Sequence, residues 1–345
     1  MVGATSITSG GVQTVRSLTE YEAKFGVRSG GALAYDSADA FFREGGARLT
    51  VSPIGGVAAP DLSAALDLLT KDMGPGQVFS GAAADDADNV LLLDHAAATN
   101  RVAIMSAPDG DATALEASAA ALSSEANARY GALFAPSATI PGLAAGTTRH
   151  VPYAAIEAGI IARNDGSFNA NVPAAGVNGQ ALYALDLEAR YTDQEYEDLN
   201  LAGVDMARIV YDGVRTYGYR SVVDPSGPDG VWLDFGNVRL NMGIVAKAEA
   251  IGENYVFTQL DGRRRTISQF GGELRAMLVP YYEAGALYGE TADEAFYVDV
   301  GSSINTEETI ANGELHAVIE VRMSPFAELV VIEIVKVATT QAIAA

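Results

Sequence analysis

Residues Leu315–Val337 read LHAVIEVRMSPFAELVVIEIVKV, and they hold two runs of different character. In the first, Leu315, Ala317, Ile319, Val321 and Met323 fall on one face. His316, Glu320 and Arg322 share the other face with Val318. That period of two predicts a half-buried strand. Ser324-Pro325 interrupts it, because proline has no N–H to donate and restricts the residue before it. The second run, Glu328–Val337, is apolar on both faces and rich in β-branched residues. A strand of that kind needs cover on both sides. Two placements are open: it tucks into a sheet of its own subunit, or it completes a neighbour's sheet by strand addition.

Working outward, 345 residues with 49% hydrophobic content and a mean hydropathy of +0.12 provide for a sizeable core. Disorder is not the expectation for such a composition. Cysteine is absent, so disulfides, thiolate metal sites and a cysteine nucleophile are excluded. The first thirty residues lack the basic head and apolar centre of a signal peptide. No apolar stretch reaches the roughly 18 residues a membrane helix needs. With 22 Lys+Arg against 44 Asp+Glu the net charge is −22, which repels phosphate backbones and argues against nucleic-acid binding.

Read in order, Val2–Thr14 is Gly/Ser/Thr-rich, an extended segment that is loose unless something pins it. Ser17–Phe25 has helical spacing after a cap, and Ala32–Glu44 predicts an amphipathic helix stopped by Gly45-Gly46. Arg48–Pro53 reads as a strand and Asp61–Lys71 as a helix capped by Asp61. Asn89–Asp94, Arg101–Ala107 and Gly131–Ala135 read as strands, Asp111–Arg129 and Pro152–Ala162 as helices. This alternation predicts a mostly parallel sheet flanked by helices. Beyond the loop-like 164–180, Asp193–Ala202 predicts a helix, and Asp205–Val210 and Thr216–Val223 predict strands. Trp232–Ile251 and Ile267–Leu287 read as helices on either side of a strand at Tyr255–Gln259. Thr291–Glu294 has capping-box spacing.

Chemistry finds little purchase. His95, His150 and His316 are the three histidines, and none stands in a zinc-binding pair. A nucleophile elbow, a phosphate-binding loop and a dinucleotide fingerprint are all missing. Asp85, Asp86 and Asp88, like Asp109 and Asp111, fit no calcium loop and read as solvated carboxylates. Arg263-Arg264-Arg265 is the one basic run; it reads as a solvated turn or as a contact with an acidic patch on another copy. No catalytic, cofactor-binding or metal-ligating residue emerges. The rival reading is an α/β enzyme with a non-obvious active site near His95 or Asp109.

Several stretches, in order, resemble the tail sheath proteins of contractile phage tails and related injection systems. Gly285–Val298 (GALYGETADEAFYV) is similar to that family's Gly-Ala-Leu-x-Gly-x-Thr-x-x-Glu-Ala-Phe-x-Val segment. Asn312-Gly313-Glu314-Leu315, then a strand, a proline and an apolar run, resembles its closing pattern. Ala38–Val51 (ADAFFREGGARLTV) is similar to its early helix, double glycine and strand. Gly203-Val204 with Arg208, then Gly213–Ser221, resembles a further segment, with Tyr217 where tryptophan is usual. The start, VGATSITSGG, departs from the family's Pro-Gly-Val-Tyr-type arm.

The resemblance implies an α/β and α+β fold whose mostly parallel sheet is followed by a carboxy-terminal α+β sheath domain with an extended strand arm. It implies an amino-terminal arm at 1–16, an α/β domain at 17–210, a sheath domain at 211–325 and an arm at 326–345. It implies a structural subunit, not an enzyme and without cofactors, that polymerises around a tail tube. Contraction by rigid-body rearrangement then drives the tube through the target envelope. Implied partners are other copies of the chain, a tube protein, and baseplate and terminator proteins, with neither nucleic acid nor membrane insertion. Implied localisation is the virion tail, assembled in the host bacterial cytoplasm. The expected interface is Leu329, Val330, Val331, Ile332, Glu333, Ile334, Val335 and Val337 as the donated strand. Leu315, Ala317, Ile319 and Val321 belong to the accepting sheet, and Pro325 is the hinge.

Overall fold

The computed structural model describes residues 1–29, 32–56, 60–82, 85–211 and 213–328. The chain opens with β1 (Val2–Ala4) and β2 (Gln13–Val15), then α1 (Leu18–Phe25), α2 (Ala32–Arg43) and β3 (Leu49–Ile54). Ser17 caps α1 by accepting the Glu20 N–H. β3 takes β1 parallel on one side (Val2↔Ser52) and β2 antiparallel on the other (Gln13↔Val51). The amino-terminal segment is therefore pinned on both flanks of β3. Val2 also reaches the run after the next strand, donating to the Phe79 carbonyl at 3.1 Å and accepting from Gly81 at 2.7 Å.

Next come α3 (Leu62–Asp67), β4 (Gly76–Val78), α4 (Asp86–Thr99), β5 (Arg101–Ser106), α5 (Ala112–Ser123), β6 (Gly131–Ala135), β7 (Ala138–Pro141) and β8 (Thr148–Val151). They are followed by α6 (Tyr153–Asp165), β9 (Asp186–Leu187), α7 (Asp193–Leu201), β10 (Val204–Val210) and β11 (Gly213–Tyr217). The main sheet runs β11-β10-β6-β5-β4, parallel except for β11. A small antiparallel sheet, β8-β7-β9, stands beside it.

β5 shows why the sheet needs two covers. Successive side chains of a strand point to opposite faces. Val102 and Ile104 join one hydrophobic cluster with Phe41 of α2 and Ile156 and Ile160 of α6. Ala103 and Met105 join another with Leu66 of α3, Leu92 and Leu93 of α4 and Leu115 of α5. Fully burying an aliphatic chain of this size contributes about 1.5–3 kcal/mol. α2 and α6 approach closely at Gly159, where a Cβ would lie 2.6 Å from the Glu44 Cβ and 2.8 Å from the Phe41 carbonyl oxygen.

The run Asn89–Asp94, expected as a strand, lies inside α4. Asp85 caps that helix by accepting the Ala87 N–H at 2.8 Å, and Asp86 and Asp88 occupy its first turn. The acidic cluster read as loop carboxylates is a helix start, where carboxylates favour the dipole.

The remainder is α8 (Phe235–Glu253), α9 (Arg265–Glu283), α10 (Ala292–Ala295), β12 (Phe296–Asp299), α11 (Glu307–Ala311) and β13 (Val318–Val321). A third cluster gathers Leu240 and Ile244 of α8, Leu278 of α9, Leu287 and Phe296. The expected boundary after residue 210 falls at the turn of the β10–β11 hairpin, which pairs from Met206↔Tyr217 to Val210↔Gly213. The clusters change over later, within α8, since Phe235 and Val238 still pack with the first. Tyr255–Gln259 is a turn between α8 and α9, with Phe257 at φ 64°. The strand expected at Thr216–Val223 ends at Tyr217. Thr291 precedes α10 without a side-chain cap; Glu294 accepts the Glu290 N–H at 3.0 Å instead.

Buried charge ties the layers together. Arg149 of β8 is held by Asp36 at 2.6 Å and Asp39 at 2.5 Å, both on α2. Tyr183 donates to Asp39 at 3.0 Å. Glu157 of α6 is fully buried and accepts from Thr216 at 2.5 Å, while its other oxygen has no partner among the described residues. Burial, offset in part by the Thr216 bond and Arg239, pushes its carboxyl up to about 8.

Candidate assembly interface

β12 and β13 form a two-stranded antiparallel sheet, with Phe296↔Val321 and Asp299↔Val318 as its end pairs. Two strands alone are marginal in water, and edge strands present unpaired main-chain groups. The Gly285–Val298 segment wraps β13 twice. Its back half is α10 and most of β12. Its front half meets the continuation of β13: Tyr288 donates to the Arg322 carbonyl at 2.8 Å and Ser324 donates to the Ala286 carbonyl at 3.1 Å. The turn between the halves is tight, for a Cβ on Gly289 would lie 2.8 Å from the Ala295 nitrogen and 3.0 Å from the Thr291 oxygen.

In an extended strand the N–H and C=O of one residue point to the same edge, and the next residue's point to the other. Arg322 donates to Ala295 of the β12 side at 2.8 Å. His316 is gripped through both main-chain groups by Asn305, at 2.8 Å each. The strand residues so held, His316, Arg322 and Ser324, are all even-numbered. The main chains of Leu315, Ala317, Ile319, Val321 and Met323 therefore face the opposite edge. Among the described residues, no main-chain hydrogen bond reaches any of them from outside the β12–β13 pair.

The side chains follow the expected alternation. Ile319, Val321 and Met323 pack on the third cluster with Val298, yet each is only half-buried. Val318, Glu320 and Arg322 are exposed. Of the residues expected at the interface, Leu315, Ala317, Ile319 and Val321 thus line one open edge. Leu329, Val330, Val331, Ile332, Glu333, Ile334, Val335 and Val337 lie outside the described residues. Pro325 is exposed. Phe326 and Glu328 still line a cleft with Tyr217 and Tyr219, and Glu328 pairs with Arg220. Sequence reasoning missed Asn305 and Arg220, since neither stands in a periodic run.

The rival site does not come together. His95 lies toward the end of α4 and bonds Arg101 at 2.9 Å, where burial and then Arg101 bring its pKa down to about 4. Asp109 follows the far end of β5, about 16 Å along the strand from Arg101. A cleft of about 280 Å³ near Arg101, Asp165 and Arg239 is lined by neither His95 nor Asp109. Among the described residues no group of three or more His, Cys, Asp or Glu is placed to hold a metal. No helix there is long and apolar enough to cross a membrane.

No protein-family model matches the chain, and no curated protein does. Solved structures do. A chain of the anti-feeding prophage baseplate, six-fold symmetrised, superposes with TM-score 0.78 at 19% identity, covering 97% of this chain and 92% of that one. The contracted helical sheath of the same system gives 0.76 at 19% identity, covering 97% and 91%. The contracted sheath complex of an extracellular contractile injection system, PVC, gives 0.74 at 16% identity, covering 96% and 88%. The chain has the mixed α/β fold of contractile sheath proteins, over nearly its whole length.

Proposed function

We propose that this chain is a structural subunit of a contractile tail sheath. Copies polymerise around a tail tube, and their bodies reorient as rigid units to drive the tube through a target envelope. The observation that carries the reading is the open edge of β13 on a chain with the sheath fold. A neighbour's residues 329–337 add there as a strand, each main-chain bond contributing about 1 kcal/mol net. Partners are other copies, the tube protein, and baseplate and terminator proteins; nucleic acid and membrane insertion have no part. The protein works without a cofactor and without catalysis, in a virion tail put together in the host bacterial cytoplasm. The 17–210 and 211–325 portions form the body, and 1–16 is an arm that pairs with β3 of that body.

Negative-stain imaging of the purified chain tests this directly. Tubes or rings are expected, and discrete particles under all assembly conditions would sink it. Deleting residues 329–345 leaves a folded, soluble body that forms no tubes.

A further inference from the structure

The run Arg263-Arg264-Arg265 and the turn before it adjoin the interface above. Helix α9 begins at Arg265 with no acidic residue in its first turn. Three cations thus stand at the helix end whose dipole is already positive. Asp261, the one carboxylate of the loop, accepts the Arg265 N–H at 2.8 Å and pairs with its guanidinium at 2.6 Å. Arg264 donates to the Asn305 carbonyl at 3.1 Å. Arg263 is exposed and makes no hydrogen bond or ion pair among the described residues. Upstream, Val256 is exposed and Phe257 fully so, with Phe257 at φ 64°, an outlier for a bulky residue. Beside them opens a cleft of about 600 Å³ lined by Tyr255, Leu260, Phe270, Ile310 and Leu315. Leu315 leads into β13, so this surface continues the open edge.

Helix α7 carries the opposite fault. Asp198, in its last turn, is exposed and accepts from Gln194 at 3.0 Å; Glu197 is exposed just before it, the last turn holds no basic residue, and Leu201 stands out at the end of the helix. Arg220 reaches the Asn200 carbonyl at 3.2 Å but shares its charge with Glu328. Cations at a helix start and carboxylates at a helix end are each unfavourable in a lone subunit. Brought together across two subunits, they cancel. Each has an exposed apolar side chain next to it, Phe257 on one and Leu201 on the other.

The two surfaces belong to different parts of the chain. α7 packs on α5 and β10, whereas α9 packs on α8 and β12. A contact between unlike patches of identical chains is heterologous, and it propagates as an open helical array unless the rotation closes. In a chain of net charge −22, the arginine loop is also the scarce cationic counterpart for another copy.

We propose that the α8–α9 loop of one copy docks on the carboxy end of α7 of a second copy. Arg263 and Arg265 meet Glu197 and Asp198, and Phe257 packs beside Leu201. The inference leans on the polymeric reading only for the identity of the partner.

Charge reversal in the full chain is the first test. Arg263→Glu with Arg265→Glu raises the concentration needed for polymerisation about tenfold at low salt, an effect that shrinks as salt screens the pairs. Adding Glu197→Lys and Asp198→Lys to the same chain restores assembly, while Glu307→Lys and Glu308→Lys do not. An unchanged threshold, or rescue by neither or by the wrong pair, overturns the docking. The second test uses the absence of cysteine. Chains with Phe257→Cys are mixed with chains with Leu201→Cys and oxidised. A disulfide-linked heterodimer in excess over either homodimer is expected, and its absence counts against the contact. Tubes without the cross-link or the charge effect would remove the docking and leave the sheath reading; the cross-link without tubes would do the reverse.

Discussion

The Arg220 guanidinium holds the Glu328 carboxylate, with Nε 3.3 Å from Oε1 across 108 residues of sequence. The same arginine donates its main-chain N–H to both oxygens of the fully buried Asp205, at 2.9 and 3.1 Å. The chain therefore still lies against the body at Glu328, three residues past Pro325. A pull on Glu328 bears on β10 through Arg220 and Asp205.

Because the Glu328 side chain is more than half exposed, the pair contributes little to global stability, about 0–1 kcal/mol. Glu328→Ala should leave the melting temperature nearly unchanged while amide exchange at Met323–Glu328 speeds up. Equal exchange in both proteins would show that the pair does not hold this segment.

Val321 turns its main-chain N–H to the open edge of β13, so a proline there breaks no bond to β12. Proline is tolerated at edges whose N–H faces solvent and blocks further pairing. Val321→Pro should give a folded body without tubes, and Val321→Ala, which loses similar packing, should still polymerise. Normal tubes from the proline variant would remove strand addition at this edge.

Arg149 neutralises two buried carboxylates at once. Arg149→Met leaves Asp36 to the part-exposed Arg28 and Asp39 to Arg43 and Tyr183, and should cost about 3 kcal/mol in urea denaturation, the low end for a broken buried pair. Adding Asp36→Asn and Asp39→Asn should recover much of that loss. A loss below about 1 kcal/mol for the single variant would mean that water reaches the pair.

Glu157 binds its proton more tightly folded than unfolded, because burial raises its carboxyl to about 8 from 4.5. The stability it contributes is complete below the unfolded value and is lost as pH rises through about 8. The slope approaches about 1.4 kcal/mol per pH unit within that window. Asp234, raised to about 6, and Asp205, raised well above the usual range, have the same sign. They remain in Glu157→Gln, so the difference between the two proteins isolates Glu157. The variant should show a flatter stability profile between pH 5 and 8, and parallel profiles would contradict the assignment.

Much of this fold was legible in local patterns. The helix at α2, the all-apolar strand at β5 and the alternation through β13 follow from period and propensity, and the structure keeps them. Misreadings came where a short run had two meanings. Val90–Leu93 is apolar over four residues, too few to separate a strand from a helix, and the deciding signal was the Asp85 cap with its acidic first turn. Tyr255–Gln259 has strand residues, but two flanking helices have to be joined there, and a turn at Phe257 does it.

The sequence by itself determined which residues of Leu315–Met323 alternate, because side-chain direction in a strand depends only on parity. It could not say which main-chain edge is free. That depends on distant anchors, Asn305, Ala295 and Ala286, arriving on the same side of the strand. Nor could it say that Glu328 lies against the body, since its contact with Arg220 exists only once β10 and β11 have been packed. Pairing across a hundred residues is a property of the folded geometry, and no local period encodes it.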